Sequence, residues 1–325
     1  MKKTQTAKAD NGKTITPMLN QKPLWQRFRV RMRKDFPLYM LALPALVILI
    51  IFKYFPMYGA QIAFKQFTIG KGIWGSPWVG FKHFIWFFND PFFFRIVRNT
   101  LLLGILDVLF SFPAPIVLAL LLNELKNKKF KRTVQTISYM PHFLSLVVII
   151  GIFIDLTNIR DGKINQLIEF FGGQRIQFFA DPAWFRPLYI STGIWQQIGW
   201  GSIIYLAAIS GIDPQLYEAA IIDGANRRQQ MWHITVASIL PTITILFILQ
   251  VGNIVTTNFQ KILLMYNPGT YEVADVIGTY IFRRGILGGS LSFSTAVGLF
   301  RALVAFLLLW GANRISKSVS EYYLW

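Results

Sequence analysis

Apolar residues in this chain do not alternate with polar ones; they run on. Six stretches, at roughly 38–56, 96–122, 136–156, 188–209, 236–256 and 293–311, are dominated by Leu, Ile, Val, Phe and Ala. Each reaches about the twenty residues that a helix needs to cross about 30 Å of hydrocarbon. In lipid such a run must satisfy its own backbone hydrogen bonds, so the pattern predicts an all-α, polytopic bundle of transmembrane helices with six spans. The third run carries Pro141 near its start and Asp155 near its end, and Pro44, Pro113 and Pro115 fall inside other runs, where they mark expected kinks.

Composition agrees with residence in a membrane. Of 325 residues 54% are hydrophobic and 16% aromatic, with a mean hydropathy of +0.44, and no separate soluble domain is visible. The net charge of +18 is concentrated beside the runs. Lys22, Arg27, Arg29, Arg31, Arg33 and Lys34 precede the first, and Lys126, Lys128, Lys129, Lys131 and Arg132 follow the second. Positive charge marks the cytoplasmic side, and an even number of crossings puts the tail with Arg314 and Lys317 there too. The chain thus reads as a basic cytoplasmic segment (1–37), a membrane domain (38–311) and a short cytoplasmic tail (312–325) in the cytoplasmic (inner) membrane. Anionic membrane lipid, not nucleic acid, is the partner expected for these charges. The first run begins late, is long and lacks a small-residue cleavage site, unlike a signal peptide. The segments 57–95, 157–187 and 257–292 face outward on this reading. Trp74, Trp78, Phe81 and Trp86 in the first of them form either an interfacial belt or part of a cap.

Chemistry is sparse. There is no cysteine, the three histidines lack metal-ligand spacing, and no phosphate-binding glycine loop ends in Lys-Ser/Thr. The expectation is a non-enzyme with no cofactor or metal of its own.

One polar segment, about 213–231, is poorly explained by folding in lipid. Asp213 suits an N-cap, Pro214 the first helical position, and Glu218, Ala219 and Ala220 the helix that follows. Asp223, Gly224 and Ala225 close it, with Gly224 allowing either a sharp change of direction or a very close contact. Glu218-Ala219-Ala220 with Gly224 and Ile234 resembles the cytoplasmic EAA motif of binding-protein-dependent ABC importer permeases. Phe52-Lys53-Tyr54-Phe55-Pro56-Met57-Tyr58-Gly59 and Ala63-Phe64-Lys65 resemble the polysaccharide-type carbohydrate permeases of that group, including alginate importers. Where sugar permeases commonly carry Ile-x-Leu-Pro, this chain has Ile234-Thr235-Val236-Ala237, with proline only at Pro241.

The resemblance implies a type I ABC importer transmembrane domain in which Glu218, Ala219, Ala220, Asp223, Gly224 and Ala225 form a coupling helix docked on a cytosolic ATPase. It also implies a second, non-identical permease, two ATPase subunits that hold ATP and magnesium, and an extracellular or periplasmic solute-binding protein. The cargo would be an oligosaccharide or polysaccharide moved by alternating access. A membrane scaffold that recruits a cytosolic protein without moving solute fits six spans and a docking loop as well.

Polar residues within the runs are the guide to a path. Asp107, Gln196, Gln197, Gln250, Asn253 and Asn258 offer groups for sugar hydroxyls, and Trp195 and Trp200 offer flat apolar faces. Each also has a plainer reading as a polar tie between helices. Arg98 and Arg301 either meet acidic sugars or snorkel to an interface.

Overall fold

A computed structural model describes Trp25, residues 35–319 and residues 322–324. The basic cluster Lys22 to Lys34 lies outside the described residues. The chain divides into two units, residues 1–59 and 60–325.

In the first unit, α1 (Phe36–Leu49) runs into a π turn, Ile50–Tyr54, and a last helical turn, Phe55–Met57. None of these residues is buried, although nearly all are apolar. An element apolar all round and unburied is what lipid, rather than water, tolerates.

The second unit is built from α2 (Phe93–Leu106), α3 (Pro113–Glu124), α4 (Lys128–Tyr139), α5 (Leu146–Thr157), α6 (Pro182–Ser210), α7 (Pro214–Ile222), α8 (Ala237–Gly252), α9 (Phe259–Met265) and α10 (Leu291–Val319), joined by shorter turns. No strand occurs among the described residues; Lys65 and Trp78 form a single isolated bridge.

Four continuous helical stretches are long and apolar enough to cross a membrane: Phe36–Phe64, Phe93–Glu124, Arg227–Gly252 and Leu291–Ser318. The predicted third crossing is not one straight helix. Lys128–Phe143 and Leu146–Thr157 meet at 106° and together make at most a fifth span. The cause is local: Leu144 and Ser145 are extended, and the Ser145 hydroxyl accepts from Val148 N to start α5 anew. The predicted fourth crossing lies within α6, whose 29 residues are ample in length, but Trp, Gln, Gly and Ser dilute its apolar character.

Proline shapes the second span. Pro113 has no N–H to give the carbonyl of Leu109, and the helix widens just before it into a π turn, Asp107–Ser111, with Phe112 N donating to Asp107 O at 3.2 Å. Asp107 thereby opens a bulge in the middle of a span. Inside the unit, Ala119, Tyr205, Ile209 and Ile239 lock α3, α6 and α8 together. Leu103, Ile150, Leu188, Tyr189 and Ile262 form a larger core toward the other end of α6, joined by Phe178 and Met265.

Candidate functional site

Two features stand out, an exposed capped helix and a cavity. The helix is α7. Asp213 Oδ1 accepts from Gln215 N at 2.9 Å, and Pro214 occupies the first turn, where its missing N–H costs nothing. At the other end Ala225 N donates to Ala220 O (2.8 Å) and Gly224 N to Ile221 O (3.0 Å), the paired bonds of a Schellman stop. Gly224 has φ +80°, and a Cβ there would meet nothing within 4 Å. Gly224 therefore serves a change of direction and not a close contact. Asn226 and Gln229 then exchange two bonds, at 2.8 and 3.0 Å, and begin the next helical turn.

No residue of α7 is buried. Glu218 and Ala219 are exposed, Ala220 is half-buried, Leu216 is 50% and Ile222 86% exposed, and Glu218 forms no ion pair among the described residues. What ties this bare helix to the bundle is Tyr217, whose hydroxyl lies 2.8 Å from Thr235 Oγ1 in the π turn Met231–Val236 leading into α8. That turn occupies the place of the expected Ile-x-Leu-Pro. Reading the sequence did not single out Tyr217; a tyrosine one residue before the acidic position of the motif was the available signal.

The cavity, of about 510 Å³, opens between α2 with its bulge, α6, α8 and the start of α9. Six of the residues expected on a path line it: Asp107, Gln196, Gln197, Gln250, Asn253 and Asn258. Their spacing explains the convergence, since Tyr189, Gly193, Gln196 and Gln197 repeat along one face of α6, and Gln250 and Asn253 along one face of α8. Across the cavity Gln250 Nε2 donates to Asp107 Oδ2 at 2.8 Å. Trp195 and Trp200 do not line it: Trp195 meets Phe153 edge to face at 5.6 Å, and Trp200 stacks on His142 at 4.4 Å. Residue 195 is two positions from Gly193, about 200° around the helix, and so belongs to another face. His142 Nδ1 in turn pairs with Gln197 Oε1 at 3.1 Å, linking the α4–α5 break to the cavity wall.

The wall also holds a base that the sequence reading passed over. Lys261, 5% exposed, donates from Nζ to Tyr189 O at 2.5 Å and lies over the Tyr189 ring at 4.4 Å. Burial pushes its amine down to about 7, while the Asp107 carboxylate acts in the opposite direction. A Cβ on Gly193 would stand 3.1 Å from that nitrogen, so glycine there lets the amine reach the wall. Lys261 is visible in the sequence as the one charge in Phe259–Met265, but a lone lysine next to a span reads as an anchor. Arg301 does not line the cavity and is half-buried in α10.

Residues 101–321 match the family described as binding-protein-dependent transport system inner membrane component. The chain is 46% identical over 290 residues to protein LplB of Bacillus subtilis (strain 168), spanning 89% of this chain and 91% of that protein. It is 44% identical over 317 residues to the polygalacturonan/rhamnogalacturonan transport system permease protein YteP of the same organism, covering 98% of each. Among solved structures, a chain of a bacterial alginate ABC transporter, in complex with an alginate pentasaccharide-bound periplasmic protein, superposes with a TM-score of 0.84 at 41% identity, over 93% of this chain and 99% of that one. The chain thus belongs to the binding-protein-dependent transport system inner membrane component family, as a permease subunit of a sugar ABC importer with the all-helical type I fold.

Proposed function

We propose that oligosaccharide or polysaccharide fragments pass through the cavity beside α6 and that α7 is the element through which ATP hydrolysis drives their passage. The observation that carries this reading is the pairing, within one unit, of a polar-lined cavity with a bare, doubly capped helix fixed to a span by Tyr217. The termini and α7 face the cytoplasm and the Pro182 end of α6 faces outward. Glu218 supplies a charge-assisted contact to an ATPase cleft, the small Ala219 and Ala220 allow close approach, and Asp223, Gly224 and Ala225 fix the exit of the chain.

On this reading the complex contains a second, non-identical permease and two ATPase subunits, in which ATP and magnesium reside, and an external solute-binding protein delivers cargo. The alginate transporter's complex with a periplasmic protein supports the external solute-binding protein. Closure of the ATPases draws the coupling helices together and opens the path outward, and hydrolysis returns it inward. Cargo-stimulated ATP hydrolysis by the reconstituted complex tests this with Glu218→Ala and Gly224→Val. The expected result is loss of stimulation with residual hydrolysis retained. Normal stimulation in the double variant overturns the assignment of α7.

A further inference from the structure

The break between α4 and α5 brings one imidazole ring onto the cavity wall. At its end α4 gives way to a tight turn, Met140–Phe143, in which Pro141 is buried, and the chain is extended at Leu144 and Ser145 before α5 begins. The turn can approach α6 because residue 199 is glycine, where a Cβ would collide with the backbone of Ser138 and Tyr139. His142 is thereby laid flat on Trp200, with the ring planes parallel and the centroids 4.4 Å apart, and Phe143 meets both rings edge to face. The stack fixes the plane of the imidazole, whose Nδ1 lies 3.1 Å from Gln197 Oε1. A carbonyl oxygen only accepts, so the proton is on Nδ1 and the histidine is the donor.

Gln197 lines the cavity. A primary amide left to itself can turn either end, oxygen or NH2, toward a ligand, and must be ordered when the ligand arrives. With Oε1 held by His142, the amide presents its N–H groups. Gln250, also on the wall, is fixed the other way round: its Nε2 donates to Asp107 at 2.8 Å, and its oxygen is left to accept. We infer that His142 is a positioning residue of the cargo path, which locks Gln197 as a hydrogen-bond donor toward the saccharide oxygens. The inference rests on the cavity being the cargo path and adds how the polarity of its wall is set. His142 acts through Gln197 and has no contact with cargo of its own, and the α4–α5 break serves to hold it there.

The test is equilibrium binding, without the binding protein, of fluorescent pentasaccharides of alginate and of galacturonan to the complete complex in nanodiscs, continued with whichever the wild type binds more tightly. His142→Phe keeps a flat ring for Trp200 and removes the donor, and should weaken binding about two- to tenfold, a typical value for one hydrogen bond. His142→Asn loses the stack but places an amide N–H close to the position of Nδ1, and should keep most of the affinity. Gln197→Ala should weaken binding at least as much as His142→Phe. In the Gln197→Ala background His142→Phe should change nothing further, because the histidine acts only through the amide. His142→Leu takes its place in the cycle where His142→Phe does not assemble. Wild-type affinity in either single variant that lacks the donor or the amide overturns the inference and leaves the path intact. Additive losses in the double variant, or a loss in His142→Asn equal to that in His142→Phe, do the same. Binding of neither saccharide by the wild type overturns the cargo path itself.

Discussion

Replacing Gly224 separates two reasons for a glycine at the end of α7. At φ +80° a residue with a Cβ is strained, by about 1–2 kcal/mol for an ordinary L-residue. The surroundings are open, with nothing within 4 Å of a Cβ, so volume adds no penalty of its own. Strain, and not size, should therefore order the variants. Gly224→Asn should be mildest, because asparagine visits the left-handed region more readily than other residues. Gly224→Ala should cost about 1–2 kcal/mol, reducing the population with the Schellman stop formed by about 5–30-fold relative to alternatives. Gly224→Val, β-branched, should be worst. The assay is cargo-stimulated ATP hydrolysis by the complex, read with ATPase retention on the purified permease. A series in which alanine is milder than asparagine, ordered by volume, would refute the reasoning and return Gly224 to a close-contact role.

Three further outcomes follow from the structure. Tyr217→Phe removes the bond to Thr235, worth about 0.5–1.5 kcal/mol, and should lower the coupling of hydrolysis to uptake while ATPase binding persists; unchanged coupling would show that the tie is dispensable. Asp275→Asn strips the charge from a fully buried carboxylate that accepts from Arg283 at 2.9 and 2.6 Å, and should destabilise the subunit by about 3–5 kcal/mol, read as a large fall in Tm; a Tm within a degree or so of wild type contradicts the burial argument. Because burial lowers Lys261 to about 7, against the opposing pull of Asp107 and beside the neutral Tyr189 phenol, the ammonium is present below about pH 7 and lost above it. Wild type should accordingly gain stability with pH above that value relative to Lys261→Met, read as the difference in Tm between the two proteins across pH. A Tm difference flat from about pH 6 to 8.5 counts against the titration of Lys261.

Local rules carried α7 and its caps from sequence to structure. Asp213, Pro214 and Gly224 each act within one helical turn, so cap, first turn and stop were readable without knowing the fold. The polar face Gln196, Gln197, Gln250 and Asn253 was readable for a similar reason, since only a protein-lined or wet surface justifies amides inside a span. The tryptophans were less so: chemistry suggested a sugar face for Trp195 and Trp200, but helix phase turns Trp195 toward Phe153, and the α4–α5 break brings His142 onto Trp200. That break depends on Leu144 and Ser145 leaving helical geometry, which hydropathy does not record. Lys261 escaped because its partners, Tyr189 and Gly193, are some seventy residues away, and only folding brings a lysine beside a span into a cavity.

The most direct test of the account is uptake of a labelled oligosaccharide into proteoliposomes that contain this chain with its partner permease and ATPases. The account predicts accumulation that requires ATP on the α7 side and the binding protein on the other, and that disappears with Gly224→Val. Accumulation without ATP, or undiminished accumulation by the Gly224→Val complex, would contradict it.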